Sequence, residues 1–429
     1  MFFGGAMATN SRIAIVLSFL LLIPLLATPV SAKVAVEIDE PFWIEDYDLG
    51  LIGMGVGGSS GQKVIVVGED GFSRVLDGVN PRDQITLPVT TDEALRTVSW
   101  HPRGNTALIA GDEGVFMRYA QEDHSLTTAD NAGILTGIDI HAVSWNTAGS
   151  HAYLGGEGGW IWAYHEGEGG NAIFEPISDT KNSIISGIDC HPEISLCVVT
   201  TIDDGIAILD SRTNHSLYWI GGEGKRWHSV SCADPLQDTC IAVASELTIG
   251  LIGINTNQPK NSIIMTRVVS DSTGELTHVH ARGPGESLIV MTPFEVIAWD
   301  HTDDEAYEWI EYQDVLNESS TLAGDSLIGS WGTIDNEDVG FLVTSQGGIV
   351  PFHPSKLSNE WTDTMVSYLV GAMVIIAVPG VILGLIFMNS TTMQSWYYNR
   401  RAAKIEAKEN ARIAAEKAAK KELRARKHR

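Results

Sequence analysis

Cysteine is scarce in this chain, with four in 429 residues. None of the four falls in the tight C-x₂₋₄-C spacing that a zinc site usually shows. A G-x-S-x-G nucleophile elbow is absent, which removes the sequence mark of an α/β-hydrolase. Basic residues are nearly as rare over most of the length. From Lys33 to Thr364 there are 15 Lys and Arg against 50 Asp and Glu, a balance of −35. Phosphate repels such a surface, so nucleic-acid binding is excluded. The densest acidic run, Asp300 to Asp314, lacks the D-x-[DN]-x-[DN]-G order that wraps oxygens around calcium, and reads as a solvated acidic face.

What is abundant is repetition. RTVSWHPRGNTALIAGDEGVFMRY from Arg96 returns as HAVSWNTAGSHAYLGGEGGWIWAYH from His141 and as SGIDCHPEISLCVVTTIDDGIAILD from Ser186. Further copies start at His228, Thr277 and Leu327, and a weaker one at Gly50. One marker position near the end of each first strand gives Val56, Trp100, Trp145, Cys190, Cys232, Ala281 and Trp331. The steps of about 42 to 50 residues are those of a four-stranded propeller blade. Each copy reads strand, polar turn, strand, Gly/Asp turn, strand, then room for a fourth. The expected fold is therefore all-β, a seven-bladed β-propeller over residues 33–360. The last copy lacks a fourth strand before Trp361, so the segment Lys33 to Ile38 is expected to supply it and close the ring.

The repeats resemble those of the WD40 family over about Gly50 to His353. The residues that carry this are V-x-W-H-P at Val98 to Pro102, the turns Gly111-Asp112 and Asp203-Asp204-Gly205, and the strand endings Ala298 to Asp300 and Ile208 to Asp210. Trp299-Asp300 is the one full copy of the family dipeptide, and no Gly-His pair precedes the first strands. The resemblance implies a rigid platform that binds other macromolecules, usually proteins, and it implies no catalysis and no cofactor. Propellers also host enzymes, but neither the S-x-D-x-G-x-T-W box of sialidase-like blades nor the tryptophan-docking repeat of quinoprotein dehydrogenases occurs.

The two ends of the chain have other compositions. Residues 1–32 hold Arg12, the apolar run Ile13 to Val30 and Val30-Ser31-Ala32, the pattern of a secretory signal peptide; an uncleaved anchor is the alternative. Met365 to Met388 is uncharged over 24 residues, enough for one transmembrane helix. Within it Gly380 and Gly384 form a G-x-x-x-G, a possible transmembrane dimer contact. The tail, residues 395–429, is basic and rich in Ala, Lys, Glu and Arg, so a cytoplasmic helix is expected there, touching anionic lipid or a cytoplasmic protein. These expectations give a single-pass type I cell-membrane protein with its propeller outside.

Four cysteines and the histidines are the remaining chemistry. Cys190 and Cys197 flank the first turn of one copy, and Cys232 and Cys240 the matching turn of the next. An exported chain favours two disulfides, Cys190 with Cys197 and Cys232 with Cys240, over free thiols or a four-thiolate metal site. His141 and His228 are equivalent, and His278 and His280 lie near the same strand of the sixth copy, so all four approach one another if first strands line a channel. Hydrogen bonds to neighbouring backbone are the expected role, rather than a ring of metal ligands. Asn214 and Asn317 head N-x-[ST] triplets and are the candidate glycosylation sites. The expected function is an extracytoplasmic scaffold that binds an unidentified protein through its loop faces. A glycan-active enzyme at the channel mouth and a receptor-like sensor coupled to a cytoplasmic partner are the alternatives.

Overall fold

The computed structural model describes residues 36–354, apart from short stretches at 233, 270–273, 284, 303–304, 311–314, 316–319, 323 and 335, together with residues 384–427. Its strands form six four-stranded antiparallel sheets and one of five strands. In chain order the sheets are Leu51–Thr86, Leu95–Thr128, Ile140–Pro176, Ile185–Gly221, Trp227–Val268, Glu275–Ile310 and Leu327–Pro354, hereafter blades 1 to 7. This is the seven-bladed propeller expected from the repeat, and it is one compact unit, Val34–Lys356.

Seven apolar clusters hold the ring together, and each lies between two blades rather than inside one. Ile65, Val67 and Val75 of blade 1 pack on Leu95, Ile109 and Tyr119 of blade 2. Val64, Val66 and Leu76, which alternate with them, pack on Trp331, Val343 and Ile349 of blade 7. Successive strand residues point to opposite faces, and both faces of a blade are covered by neighbours. That is why the second strand of each blade, such as Lys63–Gly68 or Leu196–Thr201, reads as an unbroken apolar run. Each Val or Ile buried this way contributes about 1.5–3 kcal/mol.

The N-terminal segment closes the ring. Val36, Glu37 and Ile38 pair with Pro354, His353 and Phe352, the last strand of blade 7. Phe42 and Trp43 then pair with Ile349 and Gly348 further along the same strand, a second contact that the sequence did not announce. Residues 33–35 of the expected strand lie outside the described residues, as does the signal segment 1–32.

The second unit holds a helix, Thr391–Lys427, which starts before the basic tail and continues through it. Arg400 stacks on Trp396, and Lys420 pairs with Glu416 at 3.1 Å, one turn apart. Among the described residues no helix is long and apolar enough to cross a membrane. Most of the Met365 to Met388 run, Gly380 included, lies outside the described residues. Gly384 is described, with open space where a Cβ would stand.

Candidate functional site: the central channel

Every blade presents its first strand to the axis, and each first strand carries an irregularity at the same place. Pairing skips one residue between Leu51 and Gly53, Leu95 and Thr97, Ile140 and Ala142, Ile185 and Gly187, Trp227 and Ser229, Leu276 and His278, and Leu327 and Gly329. The extra residues are Ile52, Arg96, His141, Ser186, His228, Thr277 and Ile328. A bulge turns an additional side chain out of the ladder and toward the opening. Six of these seven residues, all but Thr277, line a central cavity of about 360 Å³, joined there by His278, His280, Asp189, Ser229 and Ser231. The bulges also correct one marker. Counted from the bulge, blade 7 places Gly332 where the other blades place Trp100 or Cys190, and Trp331 falls one residue early.

Below the bulges, polar side chains lace adjacent blades. The Ser99 hydroxyl accepts the Trp145 N–H at 3.3 Å, Ser144 accepts that of Cys190 at 3.2 Å, and Asp189 accepts that of Cys232 at 2.7 Å. In blades 2, 3 and 4 the residue before the marker receives the backbone N–H of the next marker. In blade 6 the equivalent residue, His280, meets Ser330 of blade 7 at 2.7 Å through Nε2. The recurrence of Ser99 and Ser144 immediately before the marker is the signal of this lacing in the sequence.

Burial governs the titration of this wall. Desolvation pushes the Asp189 carboxyl up to about 6 although the Cys232 N–H opposes it. It holds His280 down to about 4, with the neighbouring His278 adding to the effect. His278 is itself open to the lumen, but the lumen is walled in by the ring, and desolvation with nearby His228 also brings it to about 4. His228 is lowered by burial, with Nε2 2.9 Å from Ser245 Oγ. His141 is lowered by burial and by Arg96, and its Nε2 is buried without a hydrogen-bond partner. Arg96 is turned away to Asp112, which it grips through both Nε and Nη2.

The four histidines singled out in the sequence therefore all reach the channel. Two of them are bonded to serine hydroxyls, and among the described residues no group of three or more His, Cys, Asp or Glu could hold a metal ion. His101 and His191 are turn residues. Each reaches the next blade's first turn, His101 at Gly149 O and His191 at Gln237 O, both 3.0 Å.

Both disulfides form as expected, Cys190–Cys197 and Cys232–Cys240. Cys190 and Cys197 are directly opposed in the first hairpin of blade 4. Asn214 is exposed in the last turn of blade 4, with φ 48°; Asn317 lies outside the described residues.

Trp227 and Trp309 are core: Trp227 is wholly buried with its indole N–H on Gly222 O, and Trp309 packs on Phe352. Trp219 is half-buried, its N–H on Asp179 O and its ring under Lys181. Trp160 is 51% exposed at the end of a turn. It lies on the face that carries the connections between second and third strands and between blades, the upper face. Ile134 and Ile184 are exposed on flanking inter-blade connections of that face. Carboxylates stand among them: Glu113, Asp139, Glu157 and Asp203. An open depression of about 660 Å³ lies elsewhere, along Trp43 to Asp48 and Gln346, lined by the carboxyl groups of Glu45, Asp46 and Asp48.

A cluster the sequence did not reveal joins blades 3 and 4. His151 lies with His165 and His215 at ring-centroid distances of 5.1 and 4.7 Å, and His215 Nδ1 meets the Tyr153 hydroxyl at 2.9 Å.

No protein-family model matches the chain, and none of the curated proteins is significantly similar to it.

Proposed function

We propose that this chain is a membrane-anchored, extracytoplasmic, divergent WD40-like propeller that acts as a scaffold, holding a protein partner on the upper face of blades 2 to 4. The observation that carries this reading is the set of exposed apolar side chains Ile134, Trp160 and Ile184 on successive loops, standing among carboxylates. Apolar anchors with a charged rim are the pattern of a protein-binding surface. The complementary partner presents an apolar pocket surrounded by Lys and Arg. In this reading residues 1–32 direct export, 365–388 span the membrane and the basic helix stays inside.

The test is a crosslinking pull-down of the full-length protein from its membrane, read by mass spectrometry. Trp160→Ala with Ile184→Ser should lose a defined basic partner that the parent retains. If both retain the same proteins, the upper face is not the binding surface.

One observation favours the enzyme reading, the His280–Ser330 pair in the channel. A base paired with a serine is the start of a nucleophilic site. Against it, an imidazole held near 4 is a weak base, and the Asp189 carboxylate accepts the Cys232 N–H. Labelling of Ser330 by a fluorophosphonate probe would support that reading over the scaffold.

A further inference from the structure

Three imidazoles meet at the junction of blades 3 and 4, on the side away from the upper face. His151 immediately precedes the second strand of blade 3 and His165 lies near the end of the third; since Ala152 pairs with Tyr164, the two rings are cross-strand neighbours. His215 belongs to blade 4, where it ends the turn between the third and fourth strands, residues 211–215. Its ring centroid stands 4.7 Å from that of His151, which stands 5.1 Å from that of His165.

This contact holds the turn down. Asn214 and His215 both lie in the left-handed region, at φ 48° and 53°, a conformation that costs energy in a residue other than glycine and persists where tertiary contacts impose it. The tie is His215 Nδ1, 2.9 Å from the hydroxyl of Tyr153, whose ring is wholly buried with Cys197, Ala207 and Leu217 of blade 4. Arg212 of the same turn is bonded to Asp210 and to Thr256 O, away from blade 3.

The surroundings suit neutral rings. His165 Nδ1 is buried without a hydrogen-bond partner, so a proton there would have no acceptor. Burial, then the His215 and His165 rings, hold His151 below its ordinary value; burial does the same for His215, with His165 adding to it. Glu175, on the outer strand of blade 3, is the facing charge that favours a proton on both. The other charges nearby are paired. Asp210, beyond Tyr153, holds Arg212 at 2.8 Å, and Glu166, next to His165, holds Arg118 at 2.7 Å.

We propose that His151, His165 and His215 form an acid-operated latch between blades 3 and 4, shut while the rings are neutral and opened by protonation, which drives residues 211–215 away from blade 3. A proton on one ring opposes a proton on the next at this separation, whereas in the open turn an imidazole faces water and titrates near 6.5. The open form therefore binds more protons below 6.5, and opening becomes more favourable as pH falls. Opening strips the cover from the Tyr153 hydroxyl at that end of the seam. The latch is independent of the upper-face partner and of the membrane segment. Blade 2 supplies an internal comparison. His124 has the same place in its turn, with φ 54° and Nδ1 2.7 Å from the Tyr119 hydroxyl, but among the described residues no second imidazole lies against it.

Hydrogen–deuterium exchange of the full-length chain in membranes, read by mass spectrometry at pH 7.5 and 5.0 and corrected for the intrinsic pH dependence of exchange, tests this. Protection of residues 211–218 should fall about tenfold or more at pH 5.0, and that of residues 121–126 much less. His151→Gln with His165→Gln leaves His215 on Tyr153 and removes the opposing charges; protection of 211–218 should then agree within about threefold between the two pH values. His215→Gln should expose 211–218 at both. Equal acid losses in the turns of blades 2 and 4 would overturn the proposal, because the whole propeller would then be loosening. So would an acid response that survives in the double variant, or protection of 211–218 that His215→Gln leaves unchanged.

Discussion

The Asp189 carboxylate of blade 4 accepts the Cys232 backbone N–H of blade 5 at 2.7 Å, at the position where the two preceding blades use the hydroxyls of Ser99 and Ser144. A charge thus occupies a place that neutral oxygen serves elsewhere in the same ring.

Asp189→Asn keeps an acceptor for Cys232 and removes the charge. Because burial raises the folded carboxyl to about 6, above its unfolded value, the folded state binds the extra proton, and stability falls as pH rises through about 4 to 6. The variant should be more stable than the parent at pH 8 by about 1–2 kcal/mol, and the difference should fade near pH 4. Thermal melts across pH measure it; a variant less stable at pH 8 would contradict the assignment.

His280 acts with the opposite sign. Its folded value is about 4, below the 6.5 of the free imidazole, so the unfolded chain takes up the proton first and stability is lost as pH falls below 6.5. His278 adds in the same direction. Replacing both with Gln should flatten the acid loss, by about 2 kcal/mol for His280 alone between pH 7 and 4. Chemical denaturation at those two pH values gives the comparison.

Much of this architecture was legible because a blade buries both faces, which forces apolar runs at a fixed interval; Lys63–Gly68 and Leu196–Thr201 show it. The disulfides followed from opposed hairpin positions. The bulges were not legible, since one extra residue in a strand leaves the repeat interval unchanged, and Trp331 was consequently placed one residue off. The place of Trp160 was not legible either, because Trp160-Ile161-Trp162 alternates like a strand, whereas Trp160 ends the turn and only Ile161 onward pairs. His151, His165 and His215 meet only because a loop of blade 4 returns to blade 3, a contact with no local signature.

Two left-handed glycines, Gly114 in the turn between the second and third strands of blade 2 and Gly137 in the connection from blade 2 to blade 3, give a paired test. Gly114 has φ +80°, and a Cβ there would stand 2.1 Å from Leu135 O; Gly137 has a similar φ of +78° with open space. Gly137→Ala should cost about 1 kcal/mol, the backbone penalty alone. Gly114→Ala adds a clash with backbone and should cost about 3 kcal/mol or more. Similar melting temperatures for the two variants would show that the loop carrying Leu135 moves aside freely.

Removal of Lys33 to Asp39 deletes the pairing of Val36, Glu37 and Ile38 with blade 7 and exposes Phe352, which packs against Ile38. A sharply lowered melting temperature is expected in calorimetry. An unchanged melt would mean that blade 7 is complete without this strand.

The closure by both chain ends has a mechanical consequence. Tension applied to the chain beyond Pro354 enters the strand Gly348–Pro354, which is held on one side by Asn336–Thr344 and on the other by Val36–Ile38 and Phe42–Trp43. The load is therefore shared in shear across two rows of backbone hydrogen bonds, instead of unzipping a free edge one bond at a time. Wherever the far end of this chain is fastened, the blade that takes the pull is the one doubly clasped.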